Sequence, residues 1–258
     1  MFIAKSKVQD RYLYCLSFNI CVSSYDSVHK LYYNDYYLLT MVIFKEIDAP
    51  DDKYFTDAIN IYREAFESNP EIYLDPKYFS QTHGRASKDM EWHFSVLIDQ
   101  ETAVGMAAFA LTVFGGYGGY VAIKGEFRHH GYGTVLLKKI MEALVEDSRQ
   151  KGWDIHFLFA EYEENNRKLW ESKGFFTLPL NYFQPPLSDT GKWIPMNLGV
   201  IPLAGKDTIS GEEILDFVTF LYSKIYRERG YSKKQPFVAL KKSCENLNIH
   251  LMDSNLSE

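Results

Sequence analysis

The chain has 258 residues, 46% hydrophobic and 24% charged, enough to bury one sizeable core, so one domain with appendages is expected rather than two equal domains. A formal net charge of −6 and a sequence pI near 5.7 argue against a surface built to grip a nucleic-acid backbone, leaving room only for a local basic pocket. Cys15, Cys21 and Cys244 make neither a disulfide framework nor a zinc spacing, and no apolar run is long enough to span a membrane, so the expectation is a cytoplasmic protein with no metal and no nucleic-acid or membrane partner.

Lys5, Lys7 and Arg11 precede a mildly apolar run, Tyr12 to Val22, but Ser17 and Asn19 interrupt it and the match to a signal peptide is poor. Residues 1–40 are read as an N-terminal arm or, by preference, as an upstream extension to a natural start at Met41. Met41 to Ile47 is β-rich, and Asp48 to Asp52 supplies a turn and an acidic N-cap. From Lys53 the apolar residues fall at Tyr54/Phe55, Ala58, Ile61/Tyr62 and Ala65/Phe66, the spacing of an amphipathic helix. Asn69 to Met90 reads as a loop with a short helix from Pro76 to Gln81. Trp92 to Ile98 and Thr102 to Thr112 form a hairpin, and Gly115 to Gly119 reads as a β-turn or bulge before the next strand.

Tyr120 to Lys124 is that strand. After it come Arg128-His129-His130-Gly131-Tyr132-Gly133 and a helix, Thr134 to Arg149, with apolar pairs at Leu136/Leu137, Ile140/Met141 and Leu144/Val145. A turn with two glycines, set where a strand feeds a helix, aims backbone N–H groups outward at the positive end of the helix dipole and makes a seat for a phosphate. Lys151-Gly152 stops the helix and Asp154 to Ala160 is a buried strand, so the unit predicts a right-handed parallel crossover. A short helix, Glu164 to Lys173, ends at Gly174 and is followed by a strand from Phe175 to Phe183. Trp193 to Pro202 is expected as an edge strand. Ser210-Gly211-Glu212-Glu213 is a capping box opening a helix to about Arg227, and Pro236 to Leu247 is a second helix.

The order predicts an α+β fold: a mixed, mostly antiparallel sheet with one parallel crossover and flanking helices, plus a C-terminal helical extension. The expected divisions are residues 1–40, a domain over 41–186, and an extension over 187–258 packed on it.

The string Tyr120 to Gly133 resembles the acyl-CoA motif of the GNAT superfamily of N-acetyltransferases, in which a strand, an R/Q-x-x-G-x-G/A turn and a helix hold the cofactor. Leu169-Trp170-Glu171-Ser172-Lys173-Gly174-Phe175 resembles the short helix ending in Gly-Phe of the same family, and the likeness runs from about Met41 to Phe183. By that resemblance the acetyl-CoA pyrophosphate would sit on backbone N–H groups of His129, His130, Gly131, Tyr132, Gly133 and Thr134, with Arg128 touching phosphate or pinning the turn. The backbone of Val121, Ala122 and Ile123 would pair with the pantetheine arm. The strands of Ala122 and Phe159 would splay to admit the thioester, and an N–H near Ala122 or Ile123 would polarise its carbonyl.

Many family members carry a tyrosine four residues before the Gly-Phe pair as the general acid. Here that position is Trp170, whose indole is no proton donor at neutral pH, and Glu163 replaces the usual asparagine at the helix start. Tyr162, Tyr182 or solvent could supply the acid. Glu161, at the C-terminal end of the last parallel strand, is the candidate base, with a helix-capping or salt-bridge role as the alternative. Glu126 is expected in solvent, His93 and His156 as packed or surface residues, and Tyr120 as core or acceptor-facing. The resemblance implies acetyl transfer to a primary amine of a small molecule or peptide, with a homodimer compatible. Its alternatives are a non-catalytic acyl-CoA-binding module and a longer-chain acyltransferase with an aromatic slot from Tyr73 to Phe79 and Tyr182 to Phe183.

Overall fold

A computed structural model describes residues 41–82, 86–187, 191–203 and 206–251; the expectation for residues 1–40 lies outside the described residues. Eight strands form the main sheet: β1 (Ile43–Glu46), β2 (Met90–Asp99), β3 (Thr102–Thr112), β4 (Gly115–Ile123), β5 (Phe157–Tyr162), β6 (Phe176–Thr177), β7 (Tyr182–Gln184) and β8 (Ile194–Pro202). Their order is β1-β2-β3-β4-β5-β8-β6, with β7 also pairing β8, and only β4 and β5 run parallel. Gln100 and Glu101, both at positive φ, make the tight β2–β3 turn whose twist matches the hairpin.

Strand β3 is buried along its whole length beyond Thr102, so both of its faces must be covered. On one face lies α3 (Tyr132–Lys151), which sets Val135, Leu136, Ile140 and Leu144 against Val104, Ala107, Phe109 and Leu158. On the other, α1 (Phe55–Phe66) packs Ala58, Ile61 and Tyr62 with Phe94, Val96 and Met106. The helices α5 (Gly211–Phe220) and α6 (Gln235–Cys244) join a second cluster with residues of β4, β5 and β8, in which the Phe159 and Phe217 rings stack at 3.9 Å. Two short helices, α2 (Lys77–Thr82) and α4 (Arg167–Glu171), and a ribbon of β9 (Thr208–Ser210) with β10 (Asn248–His250) complete these elements.

Several expectations are corrected. Gly115 to Gly119 is strand rather than turn: a Cβ on Gly116 would stand 2.6 Å from Leu144 Cδ1, so the glycine lets α3 approach closely. Only Gly119 is bulged, where two steps on β4 oppose one on β3. Phe175 to Phe183 divides into β6 and β7, because Pro179 between them has no N–H for a ladder. Strand β8, expected at an edge, is interior, flanked by β5 on one side and by β6 and β7 on the other. Its run Leu198-Gly199-Val200-Ile201 is buried throughout, the pattern of a strand covered on both faces. Tyr54, not an aspartate, takes the N-cap position of α1, and Asp52 Oδ1 accepts from the Tyr54 N–H at 2.9 Å.

The capping box forms as read: Ser210 Oγ accepts from the Glu213 N–H while the Glu213 carboxylate accepts from the Ser210 N–H. The helix it opens is α-helical only to Phe220, and Leu221–Ile225 continues it as a π-helix.

Candidate active site

The parallel pairing is short: Gly116, Tyr117 and Gly118 face Leu158, Phe159 and Ala160, and there it stops. Beyond it β4 follows β3 as far as Ile123 while β5 follows β8 as far as Tyr162, so the sheet splits. The Lys124 N–H donates to Val104 O at 3.0 Å, which fixes the alternation along β4. Ala122 therefore spends its backbone groups on β3, and those of Val121 and Ile123 point into the split. Ile123 O, on that side, accepts from Arg128 Nε at 3.0 Å.

Gly125–Phe127 is a single 3₁₀ turn, His129 and Gly131 take positive φ of 64° and 89°, and Gly131 is the N-cap of α3. The amides of His129, His130, Gly131, Tyr132 and Gly133 donate to no acceptor among the described residues; the first that do, from Thr134 and Val135, both use Gly131 O. Five successive free N–H groups at the start of a 20-residue helix fit an anionic phosphate group. Arg128 pins the turn, holding Ile123 O and lying 3.9 Å from Glu64. The His130 ring is spent on Arg128 O. Tyr132 is buried, bonded to Asp99, and pushed up to about 12 by burial and that carboxylate, so only its backbone is offered. Thr134 Oγ1 accepts from Lys173 Nζ at 2.6 Å, placing one cation beside the turn.

Glu161 lies one residue past the last parallel pair, at the throat of the split. Three tyrosines converge on it: Tyr117 donates to Oε2 at 2.6 Å, Tyr226 donates to Oε2 at 2.5 Å, and Tyr182 donates to Oε1. Burial pushes the Glu161 carboxyl above its ordinary value, and the three hydroxyls pull part of that back by favouring the ionised form. Burial and the neighbouring carboxylate lift all three phenols well above their usual range. Glu161 makes no salt bridge to any cation among the described residues.

The structure thus brings Glu161 and Tyr182 together and leaves Tyr162 out. Neighbours along a strand face opposite ways. Tyr162 is buried on the α3 side, stacked on Trp170 at 5.8 Å and bonded to Thr177 Oγ1 at 2.8 Å. Tyr120 gives its hydroxyl to Ile72 O and packs against Tyr62, Phe66 and Phe79. Tyr73 and Phe79 both pack on Tyr62 in the core under α1, while Tyr78 is exposed, so Tyr73 and Phe79 fill that core rather than line a slot. Asn69 reaches Glu163 at 2.9 Å, which with the Tyr120 bond ties the segment after α1 across to β4 and the end of β5. His93 stacks on Phe109 against Glu46 and Asp147, His156 lies beside Asp154, and Glu126 pairs with Lys124 at the surface.

Sequence reasoning missed Tyr117 and Tyr226. The pairing of Tyr117 with Phe159 is hidden as long as its glycine-rich surroundings read as a turn. Tyr226 follows a π-helix, for which the sequence carries no periodic signal.

Residues 55–175 match the model of the acetyltransferase (GNAT) family. Among solved structures, a Bacteroides thetaiotaomicron protein assigned to the GNAT family is 19% identical, covers 71% of this chain and 98% of its own, and superposes with a TM-score of 0.56. The ribosomal-protein-S18-alanine N-acetyltransferase of Escherichia coli is 15% identical, over 64% and 96% of the two chains, at 0.47. A Salmonella typhimurium protein solved with its cofactor acetyl-CoA is 17% identical, over 64% and 96%, at 0.44. No curated protein matches the chain. The matched segment takes in the split, the glycine turn and Glu161, and the chain thus carries, over residues 55–175, a domain matched by the acetyltransferase (GNAT) family, a family whose chemistry is acyl-CoA-dependent acetyl transfer.

Proposed function

We propose that the protein moves the acetyl group of acetyl-CoA directly to a primary amine of a small molecule or peptide, with Glu161 taking the ammonium proton. The observation that carries this reading is a carboxylate at the throat of the split, held by three hydroxyl donors and matched by no cation among the described residues. The counter-charge such a group calls for is the acceptor's ammonium. Acetyl-CoA supplies an activated acyl carbon and a thiolate leaving group.

The free amides of His129 to Gly133 would hold the pyrophosphate, and the backbone groups of Val121 with the N–H of Ile123, whose carbonyl is held by Arg128, would pair with the extended pantetheine arm. The N–H of one of these two residues would polarise the thioester carbonyl as it gains charge. Glu161 accepts a proton from the ammonium, and the neutral amine then attacks. Trp170 cannot protonate the leaving sulfur, and Tyr162 is committed to Thr177. Tyr182 remains, bonded to the carboxyl that has just gained a proton, and a thiol with a pKa of about 8.5 needs little help to leave.

The test incubates the protein and acetyl-CoA with a panel of polyamines, aminoglycosides and peptides bearing free amino termini, and reads products by mass spectrometry. A gain of one acetyl group on an amine nitrogen is expected. CoA binding by calorimetry, with no amine acetylated and no thioester consumed, would leave a binding module instead.

A further inference from the structure

Two of the three donors to Glu161, Tyr182 and Tyr226, lie beyond residue 175, where the family match ends. Tyr226 comes after α5 and the π-helical turn Leu221–Ile225, inside the segment expected only to cover the core. Its own N–H closes the wide turn on Leu221 O at 2.9 Å. A π-turn holds one residue more than an α-turn, and that residue rotates the side chains after it by about 100° relative to an uninterrupted helix. Arg227, next in the chain, sits at a φ of +55°, a conformation that disfavours side chains, and Glu228 N–H returns to Tyr222 O at 2.9 Å. A wide turn and a strained residue therefore bracket the one tyrosine of this segment that reaches the carboxylate, and such irregularities cluster at functional sites.

We infer that Tyr226 is a positioning residue for acetyl transfer, brought to Glu161 by the π-turn so that the C-terminal helical segment completes the active site. The inference rests on the reading of Glu161 as the proton acceptor. Tyr226 and Tyr117 meet at the same oxygen, Oε2, with their own hydroxyls 3.3 Å apart, while Tyr182 takes Oε1. This clamp fixes the carboxylate plane and leaves about one of its roughly four lone-pair sites free. Tyr222, the nearest other tyrosine of the segment, turns its hydroxyl to Phe183 O instead. Among the described residues the titratable groups facing Glu161 are thus Tyr117 and Tyr120 from β4, Tyr182 from β7, and Tyr222 and Tyr226 from the end of the α5 segment, with no cation among them.

Each hydroxyl favours the ionised carboxylate, so removing one raises the pH at which Glu161 gains its proton. A hydrogen bond to a charged group has a net worth that converts to about one to two pH units. The experiment follows the Glu161 carboxyl by carbon-13 NMR in the full chain with CoA present, for the wild type, Tyr226→Phe and Tyr222→Phe. In parallel, kcat/KM is measured against pH. Tyr226→Phe is expected to move the carboxyl titration and the acid limb of kcat/KM upward together by about one to two units, with Tyr222→Phe moving both by much less. If Tyr226→Phe fails to fold, a ring-fluorinated tyrosine at position 226, a stronger donor of nearly the same shape, is expected to move both downward. An unmoved titration in the folded position-226 variant overturns the inference. The titration is read without turnover, so a wild type that acetylates nothing sinks the transfer reading alone, while an unmoved carboxyl sinks this one.

Discussion

The proposed phosphate seat makes opposite demands on its two glycines, and that contrast is testable. Gly131 lies at φ +89° and ψ −16°, where an alanine costs about 1–2 kcal/mol for the left-handed conformation. Gly133 has ordinary φ, and a Cβ there would meet only Ile123 Cγ1 at 3.8 Å, so alanine fits without strain. Gly131→Ala should therefore lose about 1–2 kcal/mol in urea unfolding, whereas Gly133→Ala should lose nothing measurable and gain a few tenths from helix propensity. For CoA the ranking extends further. Relaxing Gly131 out of the left-handed region turns the neighbouring amides off their common target, and losing one hydrogen bond to a charged phosphate weakens binding about 10- to 100-fold. Gly133→Trp should weaken it at least as much by placing an indole in the seat, while Gly133→Ala binds within about twofold of the wild type. Calorimetric titration of CoA into folded variants is the deciding measurement. A Gly133→Trp protein that binds CoA with wild-type affinity would refute the seat, and a Gly131→Ala protein as stable as the wild type would refute the backbone argument.

Glu161→Gln keeps the shape and removes the proposed base, so kcat/KM should fall by about 10²- to 10⁴-fold with CoA affinity unchanged; a fall of less than about threefold would assign proton removal elsewhere. As the proposed base Glu161 would work as the carboxylate, and its pKa is raised by burial. Activity should accordingly be present above that pKa and fall as pH drops through it, at a higher pH than an ordinary glutamate would give, as a pH profile of kcat/KM will read. Ser210→Ala opens the capping box of α5 and should cost about 1 kcal/mol by urea denaturation, with an unchanged midpoint showing the cap to be idle.

The sequence is most legible where one local rule decides. The helix periods of α1 and α3, the Ser210 capping box and the glycine turn at Arg128 to Gly133 each rest on spacing, and the elements form there. Legibility fails where tertiary partners decide. Strand β8 is interior because β6 and β7 fold back onto its free side, and nothing in Trp193 to Pro202 announces those neighbours. Tyr162 is legible but easily misread: adjacent to Glu161 on one strand, it has to face the opposite way, whereas Tyr182 joins Glu161 across the sheet. Tyr226 is out of reach, since a π-turn breaks the period by which a helix face is read.

The glycine run of β4 links these features physically. Without the bulge at Gly119, Tyr117 and Tyr120, three residues apart, would fall on opposite faces of the sheet. With it, Tyr117 stands opposite Ala110, Tyr120 opposite Ala108 and Ala122 opposite Met106, alternate residues of β3 that share one face. Tyr117 can then reach Glu161 while Tyr120 anchors the segment after α1 through Ile72 O. The bulge also comes one residue after the last pair with β5, and bulges increase local twist, which turns β4 away where the split must open. Gly119 has little room for anything larger, as a Cβ would lie 3.0 Å from Ala108 O. One inserted glycine thereby orients a donor to the proposed base, fixes the segment beside the mouth of the split, and helps part the strands between which the pantetheine arm would lie.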